Sequence, residues 1–372
     1  MTIKHLVLPG GGAASIRLLG ALQKLRESGV WDEKNLESIH AVSAGTLLAV
    51  LIALRFDMET IVDYIIRRPW DNAIHLSLSN IFDVFTKKGF FGTGTIVTFM
   101  KPFFDSRDIS LDISMKDFYE LTGVKLFVYT VELNTFKLIT VSCDTFPDLP
   151  VLKAVHMSAA YPVLISPVII DGNCYVDGGL LCNYPINHCL KMYPNKNEVL
   201  GIGSSPVSTP KIVLADTSLF EYLLELIYQI VLNVYDKKHD ADSREEIPHY
   251  VEIDIPSITI SNLQSAFSDI TERRKLLSDG HLAVESFIER HCTLPATTLN
   301  QPIDETPANN INIELADTNV GIATAIESLC PINSTLYVDT SKDAIDTAPN
   351  EDKNTTGRSW YNNFFLENMP FS

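Results

Sequence analysis

Basic residues are the scarce component of this 372-residue chain: 29 Lys and Arg stand against 46 Asp and Glu, a net charge of −17. A chain so acidic is repelled by polyanions, so no nucleic-acid partner is expected. It gains no overall attraction to anionic lipid either, which leaves only a local patch able to dock on a membrane. Cysteine is sparse, and Cys143, Cys174, Cys182, Cys189, Cys292 and Cys330 form no C-x-x-C pair. Neither a disulfide framework nor a cysteine zinc site is expected. Long apolar runs are missing as well. The nearest candidate for a spanning helix, Leu219 to Tyr235, is interrupted by Glu221 and Glu225. The N-terminus, MTIKHLVLPGGG, lacks the apolar length and cleavage site of a signal peptide. The N-x-S/T matches at Asn333 and Asn354 are short patterns that chance supplies often. These absences predict an intracellular, cytoplasmic protein, at most peripheral on membranes. No repeat is visible, and 46% hydrophobic residues suffice for a full core.

The pattern along the chain alternates strand and helix. His5 to Leu8 is a short apolar run that ends at Pro9 and three glycines. Ile16, Leu19, Leu22 and Leu25 then recur at helical spacing until Gly29. Ser38 to Val42 reads as a second strand, and Thr46 to Leu54 as a helix buried on most sides. Strand, helix, strand, helix with short links predicts an α/β fold with a largely parallel sheet. Further on, strands are expected at Leu126–Val131, Phe136–Val141, Val168–Ile170, Cys174–Val176, Val199–Ile202 and Val251–Ile255. Helices are expected at Leu152–Ala160, Phe220–Val234 and Ile270–Glu289, the last with a break at Gly280. The Phe- and Gly-rich stretch Phe82–Phe104 reads as a loop or lid, with Phe90, Phe91, Phe99, Phe103 and Phe104 either at a ligand entrance or in the core. From Thr293 onward 11 acidic residues outnumber 3 basic ones, and Asn, Thr, Pro and Asp dominate. That stretch is expected to be irregular, apart from a helix near Ile322–Leu329. It ends in Trp360, Tyr361, Phe364 and Phe365, which suit docking onto the core or onto a partner.

Three pieces carry chemistry. Gly10-Gly11-Gly12 links the first strand to a helix, where free amides and the helix N-terminus favour negative charge. A P-loop would need Gly-Lys-Ser/Thr, but Ala13-Ala14-Ser15 follows. A dinucleotide site would need a third glycine and an acid after the second strand, and neither is present. An oxyanion hole and a plain tight turn remain. The second piece, Ala41-Val42-Ser43-Ala44-Gly45, lies between an apolar strand and an apolar helix. It has the form of a nucleophile elbow with alanine in the first place, and Ala41, Ala44 and Gly45 supply the small neighbours such a turn needs. A serine helix cap is the plainer reading. The third, Val176-Asp177-Gly178-Gly179, is an acid before a sharp, bare turn, and Asp-Gly is also a common turn dipeptide.

In this order and spacing the three motifs resemble the patatin-like phospholipase family, from about Leu6 to Pro185 and more loosely to His291. Ala154 to Pro162 resembles the family's small-residue helix and proline, and Asn183-Tyr184-Pro185 also matches. The resemblance implies a three-layer α/β fold with helices on both faces of a mainly parallel sheet. It implies a lipid acyl hydrolase of phospholipase A or lysophospholipase type, acting on lipid at a membrane surface without metal or organic cofactor. By the same resemblance Ser43 is the nucleophile, Asp177 the general base, Gly10, Gly11 and Gly12 the oxyanion hole, and Gly178 and Gly179 the turn supporting the base. The hydrolase domain would span 5–291, with its motifs in 6–205, and 292–372 would be an acidic extension. The family usually places a basic residue and another glycine after the glycine run, where this chain has Ala14 and Ser15. Arg17 is the candidate replacement. A non-catalytic lipid binder on the same fold is the alternative. A Ser-His-Asp triad using His249, His281 or His291 is another, although in that fold the serine comes later in the chain.

Overall fold

The computed structural model describes residues 2–73, 84–206, 212–239, 246–256 and 258–293. Its strands are β1 (His5–Leu8), β2 (Ser38–Val42), β3 (Gly89–Phe91), β4 (Lys125–Glu132), β5 (Lys137–Val141), β6 (Val163–Ile165), β7 (Val168–Ile170), β8 (Asn173–Asp177), β9 (Val199–Pro206) and β10 (His249–Ile255). The main helices are α1 (Ile16–Glu27), α2 (Ala44–Ala53), α3 (Met58–Arg67), α4 (Thr93–Asp105), α5 (Met115–Thr122), α6 (Val151–Ala159), α7 (Ile186–Met192), α8 (Leu219–His239), α9 (Ile260–Ser268) and α10 (Ile270–Thr293).

The core of the sheet runs β10-β9-β1-β2-β4, all parallel, and β5, β8 and β7 add antiparallel pairings. β1 and β2 are buried at every position, which is why they read as near-continuous apolar runs. Their side chains alternate between two layers. Leu6, Leu8, Ile39 and Ala41 join the large cluster with residues of α1, α2, α6 and α10. Val7 packs on the other side with Ile186, Cys189 and Leu190 of α7. This is the expected three-layer α/β fold, with helices on both faces of a mainly parallel sheet.

One detail of register positions the site. β5 pairs with β4 from Val128 to Glu132 along one edge. The other edge is shared end to end. β2 occupies it in parallel up to Val42 opposite Tyr129, and β8 occupies it antiparallel down to Asp177 opposite Thr130. The C-terminal ends of β2 and β8 therefore meet head-on, one residue apart along β4.

Two expectations change. Ile270–Thr293 is one unbroken helix through Gly280. A Cβ on Gly280 would collide with the Arg17 carbonyl, and one on Gly20 with the Leu277 carbonyl. These glycines let α1 and α10 touch backbone to backbone, and that packing outweighs the roughly 1 kcal/mol propensity cost of a helical glycine. The stretch read as a loop or lid instead forms β3 and α4 from Gly89 onward. Phe103 and Phe104 lie in the core, and Phe90, Phe91 and Phe99 are half-buried. The helix expected near Ile322–Leu329 and the terminal aromatics Trp360, Tyr361, Phe364 and Phe365 lie outside the described residues.

Candidate active site

Ser43 follows β2 and precedes α2 with φ 52° and ψ −130°, a conformation a non-glycine residue adopts only under constraint. The turn is crowded because the end of β1 lies against the start of α2. A Cβ on Gly45 would sit 2.5 Å from the Pro9 carbonyl oxygen. A Cβ on Gly10 would lie 2.7 Å from the Ser43 Cβ. The Ser43 amide donates to Ser158 Oγ at 2.8 Å, and that hydroxyl donates in turn to the Tyr129 carbonyl at 2.6 Å. Thr46 Oγ1 donates to the Ser43 carbonyl at 2.6 Å. The elbow is thus held from both sides by hydroxyls with no exposure to solvent.

Asp177 ends β8 and is 1% exposed. Ser43 Oγ donates to its Oδ2 at 2.6 Å, and the Gly179 amide donates to Oδ1 at 2.7 Å. Its own amide donates to the Ala160 carbonyl at 3.0 Å. A side chain on Gly178 would collide with the Tyr129 carbonyl of β4, and one on Gly179 would crowd the side chains of Asp177 and Asn183. Burial pushes the Asp177 carboxyl up to about 7, against the lowering effects of the Ser43 and Gly179 hydrogen bonds. A carboxylate so placed is basic enough to take a hydroxyl proton near neutral pH.

The glycine turn divides its labour. Gly10 was expected among the oxyanion donors, but its amide is already engaged: it donates to Asn183 Oδ1 at 2.9 Å. Asn183 Nδ2 returns a bond to the Gly10 carbonyl at 3.2 Å and reaches Ser204 Oγ at 3.1 Å. Gly10 is therefore a point of close packing on Ser43. The Gly11 and Gly12 amides make no hydrogen bond among the described residues. Gly12 has φ +53°, and the turn leads directly into α1. Side chains on Gly11 and Gly12 would press on Ile255 and Ile258.

Arg17 does not replace the missing basic residue. Its guanidinium pairs with Asp279 at 2.9 Å and donates to the Asp254 carbonyl at 3.0 Å, fastening α1 to α10 and β10. The three histidines weighed for a triad are also placed elsewhere. His249 begins β10, the end of the sheet opposite the elbow, and meets His291 edge-to-face with ring centroids 4.9 Å apart. His281 meets Gln23 at 3.0 Å. Two residues without an assigned role in the sequence proved structural to the site, Ser158 and Asn183. Both stood inside motifs already quoted, but their partners lie 115 and 173 residues away along the chain.

The patatin-like phospholipase family profile matches residues 6–190, about half the chain. A protein of Invertebrate iridescent virus 6 described as a probable lipid hydrolase is 27% identical over 197 residues, covering 52% of this chain and 66% of the relative. An uncharacterized protein of Acanthamoeba polyphaga mimivirus is 26% identical over 184 residues, covering 50% and 60%. The chain thus spans less than two thirds of the length of these relatives. Among solved structures, VipD from Legionella pneumophila is similar at 18% identity and a TM-score of 0.47, covering 78% of this chain and 67% of that one. The matched span contains the glycine turn, the elbow and the Asp-Gly-Gly turn, and on that match the chain belongs to the patatin-like phospholipase family.

Proposed function

We propose that this protein hydrolyses carboxylic esters of lipids through an acyl-Ser43 intermediate, with Asp177 as the general base. The observation that carries the reading is the 2.6 Å hydrogen bond from Ser43 Oγ to a buried Asp177 carboxylate. As Ser43 Oγ attacks the ester carbonyl carbon, its proton passes to Asp177 Oδ2 and the carbonyl oxygen takes the negative charge. The Gly11 and Gly12 amides, with the Ala44 amide at the start of α2, would hold that oxyanion. When the carbon–oxygen bond to the alcohol breaks, Asp177 returns the proton to the leaving oxygen. Water then attacks the acyl-serine, Asp177 takes its proton, and collapse releases the fatty acid and regenerates the Ser43 hydroxyl. The scheme balances without a redox partner.

Activity is tested on a soluble short-chain p-nitrophenyl ester and on phospholipid, for wild type beside Ser43→Ala and Asp177→Asn. Loss of both activities in both variants, with folding intact, is the expected result. A fluorophosphonate probe should add its mass to Ser43 in wild type and not in Ser43→Ala. Turnover that survives Ser43→Ala would refute the assignment.

A further inference from the structure

The exposed apolar side chains of this protein are not scattered. Of the fifteen large hydrophobic residues exposed among the described residues, seven fall between Ile212 and Ile230. Ile212, Val213 and Leu214 are 76%, 45% and 62% exposed in the segment before α8. Leu219, Tyr222, Leu226 and Ile230 follow on the helix at 61%, 43%, 40% and 53%. Their spacing of three, four and four residues puts them on one face, with exposed Asn233 continuing it. Among the residues of that face whose side chains are described, none is charged. Glu225, between Tyr222 and Leu226 in sequence, turns inward, is 6% exposed and accepts from Gln229 Nε2 at 2.8 Å.

The opposite face of the same helix belongs to the protein. Ile227 and Val231 pack with Val131, Val176 and Leu180, on either side of Asp177 in sequence. Leu224 packs with Leu164 and Leu263, in a cluster that also includes Ala13 of the glycine turn and Tyr161. Burial and then the carboxylate of Asp177 raise Tyr161, with Tyr228 and Glu225 adding to it, so Tyr161 lies between Asp177 and the inner side of α8. Apolar on two sides, α8 is neither an ordinary surface helix nor long and apolar enough to cross a membrane. A contiguous apolar face left exposed on a folded protein marks an interaction surface.

We propose that the exposed face of α8, with Ile212 to Leu214, is the surface by which this protein docks on lipid, and that the lipid it fits is uncharged or zwitterionic. The choice of lipid rests in part on the proposed reaction, whose substrate would reach Ser43 from that interface. Charge argues for it independently. The outer residues described carry no charge; Asp216 and Glu221 lie near them, and in sequence Lys211 precedes Ile212 and Lys237 follows Ile230 by seven residues. A second copy of the chain would bring its own net charge of −17 against the first. The chain's own C-terminal segment from Thr293, with 11 acidic and 3 basic residues, carries the same sign. The chain's net charge gives anionic lipid no overall attraction either, so docking would depend on apolar contact and not on salt-sensitive attraction.

The test is flotation of the full chain with vesicles of pure phosphatidylcholine, and with vesicles doped with phosphatidylserine, at low and high salt. The double variant Leu226→Gln/Ile230→Gln changes only the outer face and keeps residues compatible with a helix. Wild type should float with neutral vesicles at either salt, and the double variant should partition at least about tenfold less. Turnover of the soluble short-chain ester should stay unchanged in the variant, while hydrolysis of vesicle lipid falls with binding. Ser43→Ala should float like wild type. If no ester is turned over by any form but flotation still depends on the face, the docking surface stands and the hydrolase reading falls. Binding that requires phosphatidylserine, or that the double variant does not weaken, overturns the proposal. So does a wild-type dimer in sedimentation, without vesicles, that the double variant converts to monomer, since the face would then be a self-interface.

Discussion

The pH dependence of ester turnover follows directly from the setting of Asp177. Its carboxyl is raised from 3.8 to about 7, with burial as the cause. Only the ionised form can accept the Ser43 proton, so kcat/KM on a soluble ester should rise with pH through about 7 and then level off. Each pH unit below that point removes about a factor of ten, leaving about 1% of the maximal rate two units below it. Stability should move the opposite way. A folded-state value raised above the unfolded one means that stability is full below about 4 and is lost as pH rises toward 7. At about 1.4 kcal/mol per unit, a shift of about three units bounds that loss at about 4 kcal/mol. Asp177→Asn removes the ionisation, so it should be inactive and yet more stable than wild type at pH 8, with the advantage shrinking on acidification. Denaturant melts of both proteins across pH, beside initial rates for wild type, measure both arms. A rate profile already level at pH 5, or an Asp177→Asn advantage over wild type no larger at pH 8 than at low pH, would refute the claim that burial makes this carboxyl a base.

Asn183→Ala should release the Gly10 backbone and lower kcat on the soluble ester about 10- to 100-fold with little change in KM, because two half-buried hydrogen bonds to one turn are lost. Asn183→Asp keeps the acceptor for the Gly10 amide and should recover part of that loss, and equal kinetics for the two variants would count against a positioning role. Ser158→Ala leaves the Ser43 amide and the Tyr129 carbonyl without their shared partner, so denaturant melts should show a loss of about 1–3 kcal/mol together with reduced turnover. Arg17→Ala should leave kcat unchanged and cost at most about 1 kcal/mol, because its half-exposed pair with Asp279 fastens α1 to α10 without touching the site. A large fall in kcat for Arg17→Ala would return that residue to the oxyanion turn.

Much of the architecture was legible locally. Buried parallel strands must be apolar on both faces, so β1 and β2 stood out as runs beside turns rich in small residues. The elbow was legible because a strand-to-helix reversal around Ser43 tolerates only small neighbours, and Ala41, Ala44 and Gly45 supply them. The order of the three motifs carried the family resemblance, and it was that resemblance that implied Ser43 and Asp177 as a pair. What the sequence could not decide are matters of distance along the chain and of packing. Whether Gly280 breaks a helix or seats it depends on the Arg17 backbone lying against it. Phe103 and Phe104 look the same in a lid or a core, and only the packing of α4 buries them. The Gly10 amide is indistinguishable from those of Gly11 and Gly12 until Asn183 arrives from the far side of the Asp-Gly-Gly turn. The meeting itself is a product of register: β2 and β8 share one edge of β4 and end opposite adjacent residues, Tyr129 and Thr130. The amino-acid types determined which chemistry was possible. The tertiary structure decided that a carboxylate would sit buried, 2.6 Å from the serine oxygen, where burial raises its basicity.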